Sequence, residues 1–182
     1  MTEDEITAVV HGWRSSNPWA PQYWGQLNDA FATAWENNTS VIAGRVTYMR
    51  EGSSMLAYLP CGTVLTYPHV KRDREGFSFA KSAWTPAADA KEWPRNRVWH
   101  GILAENITQA TAASLLRWAL AECERQNLTV VAHTHDEIIL ESPADSATEA
   151  QDKLLAIMCS GPLWAAGLPL NASADIKKRY GK

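Results

Sequence analysis

An α+β fold with antiparallel strands follows from three patterns in this 182-residue chain. Helix-opening signals of the Ser/Thr-x-x-Glu type occur at Thr2–Glu5 and Ser146–Glu149. Short alternating apolar segments fill positions 41–67, and a long alanine- and leucine-rich stretch runs straight into a strand–turn–strand pattern.

Taken in order, positions 1–38 predict two helices. The first, opened by Thr2, carries Ile6, Val9, Val10 and Trp13 on one face and is stopped by Asn17-Pro18. The second runs from Trp19 to about Asn37, with Tyr23/Trp24, Leu27, Phe31 and Trp35 at helical spacing, and core packing is the ordinary use of such residues. Positions 39–70 predict a small β meander, VIAGRVTYM, MLAYLP and TVLTYP, broken at Glu51-Gly52-Ser53 and Cys61-Gly62. Positions 71–104 predict an irregular exposed excursion, polar from Lys71 to Glu92 with a basic start, KRDR.

In the last part, 105–182, the span Ile107–Arg125 is the strongest helix, placing Ala112, Leu116, Ala119, Leu120 and Cys123 on one face. A hairpin, LTVVAHTHDEIILES (128–142), comes next. The Ser146 capping box then opens a helix burying Leu154, Leu155 and Met158, and an apolar, then basic, tail follows.

With 46% hydrophobic residues the chain can build one core rather than two full domains. A net charge of −3 excludes affinity from an overall basic surface, so any nucleic-acid contact must be local. Cys61, Cys123 and Cys159 form no CxxC pair, which argues against zinc and for buried thiols in a reducing compartment. The acidic start MTEDEITAVV and the lack of a bilayer-length apolar run predict a soluble, cytoplasmic protein without a membrane partner.

The hairpin raises the chemical question. Two apolar strands of buried type flank His133, Thr134, His135, Asp136 and Glu137, which predicts partly desolvated charges at a sheet rim. A divalent cation is the simplest partner for two adjacent carboxylates, since it removes their repulsion and takes hard oxygen ligands. A polar turn facing water, with Asp136 only a turn residue, accounts for the triplet equally well.

The order of ENITQATAASLLRWAL, the HDE turn of His135, Asp136 and Glu137, and the closing GLPL and KKRY resembles the C-terminal part of a family A DNA polymerase, of the bacteriophage branch. WRSSNP (13–18) resembles that branch's WRxxNP, LPCGTVLTYP (59–68) its LPSGRxLxYP, and Asn106 with Gln109 its ENxxQ. The HDE resembles motif C. No segment resembles motif A or the fingers helix of motif B, and RVWHGILAEN carries a single Gly101 where the branch usually has a glycine pair. The resemblance therefore implies half of a polymerase palm, an antiparallel sheet with packed helices, with 105–182 its motif C segment.

It implies that Asp136 is a metal ligand in a two-ion magnesium site, with Glu137 a secondary carboxylate and His135 against the primer terminus. A partner chain carrying motif A, fingers and thumb would complete that site for a dNTP and primer–template DNA. Asn106 and Gln109 would contact the minor groove, where their amides suit acceptors shared by all base pairs; without the resemblance, Asn106 capping a helix and an exposed Gln109 is the simpler reading. Lys71, Arg72, Arg74, Arg95, Arg97, Lys177, Lys178 and Arg179 are the cations that could meet phosphates. A non-catalytic remnant or accessory factor binding a polymerase or primer–template is the competing function. A metal-dependent hydrolase leaves the other four matches unexplained.

Overall fold

The computed structural model describes residues 2–81 and 93–180. It is an α+β structure in which every strand pairing is antiparallel. The chain divides into two compact units, Met1–Thr108 and Gln109–Lys182, and the described strands form three separate sheets.

In the first unit, α1 (Glu3–Ser16) begins with the expected capping box: the Glu5 N–H donates to Thr2 Oγ1 at 3.3 Å and the Thr2 N–H to Glu5 Oε2 at 2.7 Å. Ile6, Val9, Val10 and Trp13 are nevertheless exposed, and α1 buries none of its residues. An amphipathic period specifies a helix; it does not specify what covers the stripe. The next helix, α2 (Trp19–Asn37), is well packed, burying Ala20, Leu27, Ala30, Phe31 and Ala34, and it ends where Asn38 turns left-handed at φ 49°. Of the large residues in the predicted stripe, Leu27 and Phe31 are buried, and Tyr23, Trp24 and Trp35 are half-buried.

That sheet is the predicted meander, β1 (Val41–Ala43), β2 (Val46–Glu51), β3 (Ser54–Tyr58) and β4 (Val64–Tyr67), in sequential order. Period-two alternation buries Ala43, Val46, Tyr48, Met55, Ala57 and Tyr67. Phe31 meets Tyr48 and Tyr67 edge-on, each at 5.6 Å between ring centroids, a favoured aromatic geometry. The two-residue turn Gly44-Arg45 joins β1 to β2, with Gly44 at φ 58°, and a Cβ at Gly44 would lie 2.9 Å from Tyr23 Cε2. Gly44→Ala is therefore expected to lose about 1–2 kcal/mol in a denaturant titration, because alanine resists the left-handed backbone and its methyl meets the tyrosine ring. An unchanged unfolding midpoint would contradict that reading of the turn.

The described part of the predicted irregular excursion contains strands. A second sheet holds β5 (Lys71–Asp73), β6 (Gly76–Ala80) and β7 (Arg95–Arg97) in that order, while positions 82–92 of the excursion lie outside the described residues. Propensity hid these strands: β5 reads KRD and β7 reads RNR, with no apolar alternation to find. Side-chain pairing supplies what propensity lacks, since Arg97 donates to both Asp73 carboxylate oxygens at 2.7 and 2.8 Å and to Glu75 Oε2 at 2.6 Å. Arg97, and then the Glu75 N–H, hold the Asp73 carboxyl below the usual aspartate range. A carboxyl whose folded pKa is depressed adds stability above its unfolded pKa and loses it as pH falls through the folded value. Unfolding titrations below about pH 4 should accordingly be steeper for the wild-type chain than for Arg97→Gln; identical pH profiles would show that the pair contributes nothing.

In the second unit, the part of α3 (His100–Arg125) beyond Thr108 contributes Ala119 and Cys123 to a core shared with Leu128 and Ile157. Asn127, left-handed at φ 57°, closes the helix, and the Leu128 N–H reaches back to the Cys123 carbonyl at 2.9 Å. Ala112 of the predicted stripe is exposed. Of the three thiols only Cys123 is buried, and burial raises its pKa; Cys61 is half-buried and Cys159 exposed.

Then come β8 (Val130–Thr134) and β9 (Glu137–Leu140), a two-stranded sheet of their own, and α4 (Ala147–Met158). The predicted Ser146 capping box does not form. Ser146 has ψ 4°, not the extended backbone of a capping serine, and its hydroxyl bonds the Pro143 carbonyl at 3.3 Å. α4 buries Ile157, which the sequence reading passed over, and packs the half-buried Leu154 and Met158 against the same core. No helix among the described residues is long and apolar enough to cross a membrane.

Candidate active site

The β8–β9 register pairs Thr134 with Glu137, leaving His135 and Asp136 as the two residues of the turn. Two-residue hairpin turns need positive φ and favour glycine or asparagine there. This chain places His135 at φ 53°. Histidine tolerates that conformation better than most side chains, yet it is strained relative to glycine, and such departures concentrate at functional sites.

Val130, Ile138 and Leu140 rest against the core of the second unit, so the base of the hairpin is held by packing. Its tip stands in solvent. All of His133, Thr134, His135, Asp136 and Glu137 are exposed, which replaces the expected desolvated rim with hydrated carboxylates. The strands belong to a sheet of two, too narrow to wall off the charges between them. Two further contacts bring the C-terminal tail to this hairpin and α4: Tyr180 Oη donates to Glu137 Oε2 at 3.4 Å, and Gln151 Nε2 donates to the Ala174 carbonyl at 2.8 Å. Tyr180 went unnoticed in the sequence because a tyrosine 43 positions away from a glutamate has no periodicity to announce the contact.

The other two predicted site residues differ in setting. Asn106 lies inside α3, which begins at His100, so it does not cap the helix. It is half-buried, and its Nδ2 faces Tyr67 Oη at 3.5 Å, a long contact within the first unit. Gln109 is exposed on the same helix.

Asp136 and Glu137 have the donor chemistry of a magnesium site but supply only part of one. Magnesium is commonly held by one or two carboxylates, with waters and substrate phosphates completing the shell. No group of three or more His, Cys, Asp or Glu among the described residues is arranged to hold an ion. A two-ion centre built on this hairpin therefore requires a carboxylate from elsewhere.

The chain is similar along its whole length to a segment of a phage DNA polymerase. Over 185 aligned positions it is 30% identical to the DNA polymerase of Bacillus phage SP02, a match that takes in all of this chain and 28% of the phage protein. The chain thus spans less than a third of that relative's length. No protein-family profile and no solved structure matches it.

Within this polymerase-like segment, several of the cations named from the sequence are already engaged. Arg72 pairs with Glu36, Arg97 with Asp73 and Glu75, and Arg95 donates to Ser78 Oγ at 3.0 Å and to the His69 carbonyl at 2.7 Å. Arg72 ties β5 to α2, whereas Arg95 and Arg97 secure the second sheet.

Proposed function

We propose that this chain contributes the motif C carboxylates to nucleotidyl transfer by a family A type DNA polymerase, within a palm-like site completed by polypeptide outside these 182 residues. The observation that carries the reading is the hairpin tip: a strained His135 and an exposed Asp136 and Glu137 on a packed base, in a chain similar throughout to part of a polymerase. Magnesium held by Asp136, Glu137 and an aspartate from that other polypeptide would lower the pKa of a primer 3′-hydroxyl and offset charge on the leaving pyrophosphate.

Asp136 is the ligand best placed for this, because the turn presents its carboxylate without a neighbouring wall. Glu137, first residue of β9, assists from the adjacent position. His135 lies against the primer terminus in this reading, and the exposed amide of Gln109 meets minor-groove acceptors common to all base pairs, sensing pair geometry without reading sequence. A single hairpin cannot position two ions, and stabilisation of the transition state depends on that positioning, so the chain alone is expected to be inactive.

The test is templated primer extension by tagged chain recovered with whatever it binds from its native host, before and after depletion of the tagged chain. Magnesium-dependent synthesis that leaves with the chain supports the proposal. No templated synthesis, or synthesis indifferent to depletion, would instead favour an accessory or remnant role.

A further inference from the structure

We infer that the C-terminal tail is a phosphate-binding arm, with Lys178 and Arg179 as its cations and Tyr180 as the anchor that holds them beside the Asp136–Glu137 turn; this rests on the polymerase reading above. The Tyr180 contact to Glu137 Oε2, at 3.4 Å, brings the chain end back to the hairpin across 43 positions. Gln151 on α4 holds the tail a second time, through the Ala174 carbonyl at 2.8 Å. Between these two tethers the sequence reads DIKKR.

Lys177 pairs with Asp175 at 3.5 Å, whereas among the described residues neither Lys178 nor Arg179 forms an ion pair, and both are exposed. This separates them from Arg72, Arg95 and Arg97, whose hydrogen bonds are used within the fold. Two unengaged cations immediately preceding the tyrosine that reaches Glu137 suit a ligand that carries negative charge, as a primer end meeting an incoming nucleotide does. Phosphate groups are the shared chemistry, from the DNA backbone or from a nucleoside triphosphate. Arginine suits them through its planar fork and lysine as a point charge.

The measurement is anisotropy of a fluorescein-labelled primer–template duplex with the full chain, across a salt series, in parallel with binding of a mant-labelled dNTP. Removing one phosphate contact lowers the slope of log K against log salt by about 0.9 for duplex DNA. Lys178→Gln and Arg179→Gln should each reduce the duplex slope by about that amount, and the double variant by roughly twice it. Tyr180→Ala, which keeps both cations and removes the anchor, should fall toward the double variant. A loss confined to mant-dNTP would place the same phosphate contact on the triphosphate.

Unchanged binding of both ligands in the double variant would overturn the inference, as would an absence of salt-dependent binding by the wild-type chain; a full slope in Tyr180→Ala would overturn the anchoring. Asp136→Ala separates the two readings. If the complex recovered from the host with that variant still synthesises while the Lys178 and Arg179 slopes fall, the catalytic reading fails and the arm stands.

Discussion

Replacing Asp136 with alanine is expected to lower templated incorporation by the assembled polymerase by at least ~10³-fold, comparable to the loss of a preorganised group that stabilises transition-state charge. That factor corresponds to about 4 kcal/mol of activation free energy. The fold should not register the change. Asp136 is exposed at the tip of a hairpin whose packed residues are Val130, Ile138 and Leu140, and exposed substitutions away from special contacts usually stay within about 0.5 kcal/mol. Assembly with other polypeptide and an unchanged unfolding midpoint are therefore part of the expected result. Asp136→Asn should behave like the alanine variant, because it keeps the shape and removes the charge that holds a cation. Incorporation within tenfold of wild type in either variant would remove Asp136 from the chemistry.

His135→Gly should separate stability from function. A non-glycine residue in the left-handed region is disfavoured by roughly 1–2 kcal/mol, and glycine relieves that strain at φ 53°. The greater freedom of glycine in the unfolded chain offsets about 0.4–1 kcal/mol of the gain. The variant should thus be as stable as wild type or modestly more so. Incorporation should nevertheless fall, by about 10²-fold if the imidazole positions the primer terminus, since misplacing a reacting group by an ångström has effects of that order. A variant that gains stability and keeps full activity would show that the histidine is an inherited turn residue.

What the sequence disclosed and what it hid have a common physical cause. Patterns that repeat along the chain were legible: the Thr2 capping box, the α2 stripe through Leu27 and Phe31, the alternation of β1–β4, and the helix–strand–turn–strand order around His135. Interactions that join distant positions were not. β5 and β7 are held by Arg97 reaching Asp73 and Glu75, and polar three-residue strands carry no periodic signal. Asn106 looked like a helix start because the apolar pattern begins at Ile107, whereas α3 starts at His100. The exposed stripe of α1 shows the same limit from the other side, since Ile6, Val9, Val10 and Trp13 have the period of a buried face and are not buried.

At the candidate site the residue types were readable and their environment was not. Apolar runs around HDE suggested desolvated carboxylates, but a two-stranded sheet leaves them hydrated, and only the fold reveals that Tyr180 returns to Glu137.

The most direct measurement is a Mn²⁺ titration, followed by electron paramagnetic resonance, of the assembled polymerase bound to a chain-terminated primer–template and the next dNTP. Two ions are expected to bind per wild-type complex, with at least one lost or strongly weakened in Asp136→Ala while DNA remains bound. Equal stoichiometry and affinity in the two complexes would contradict the assignment of Asp136 as a metal ligand.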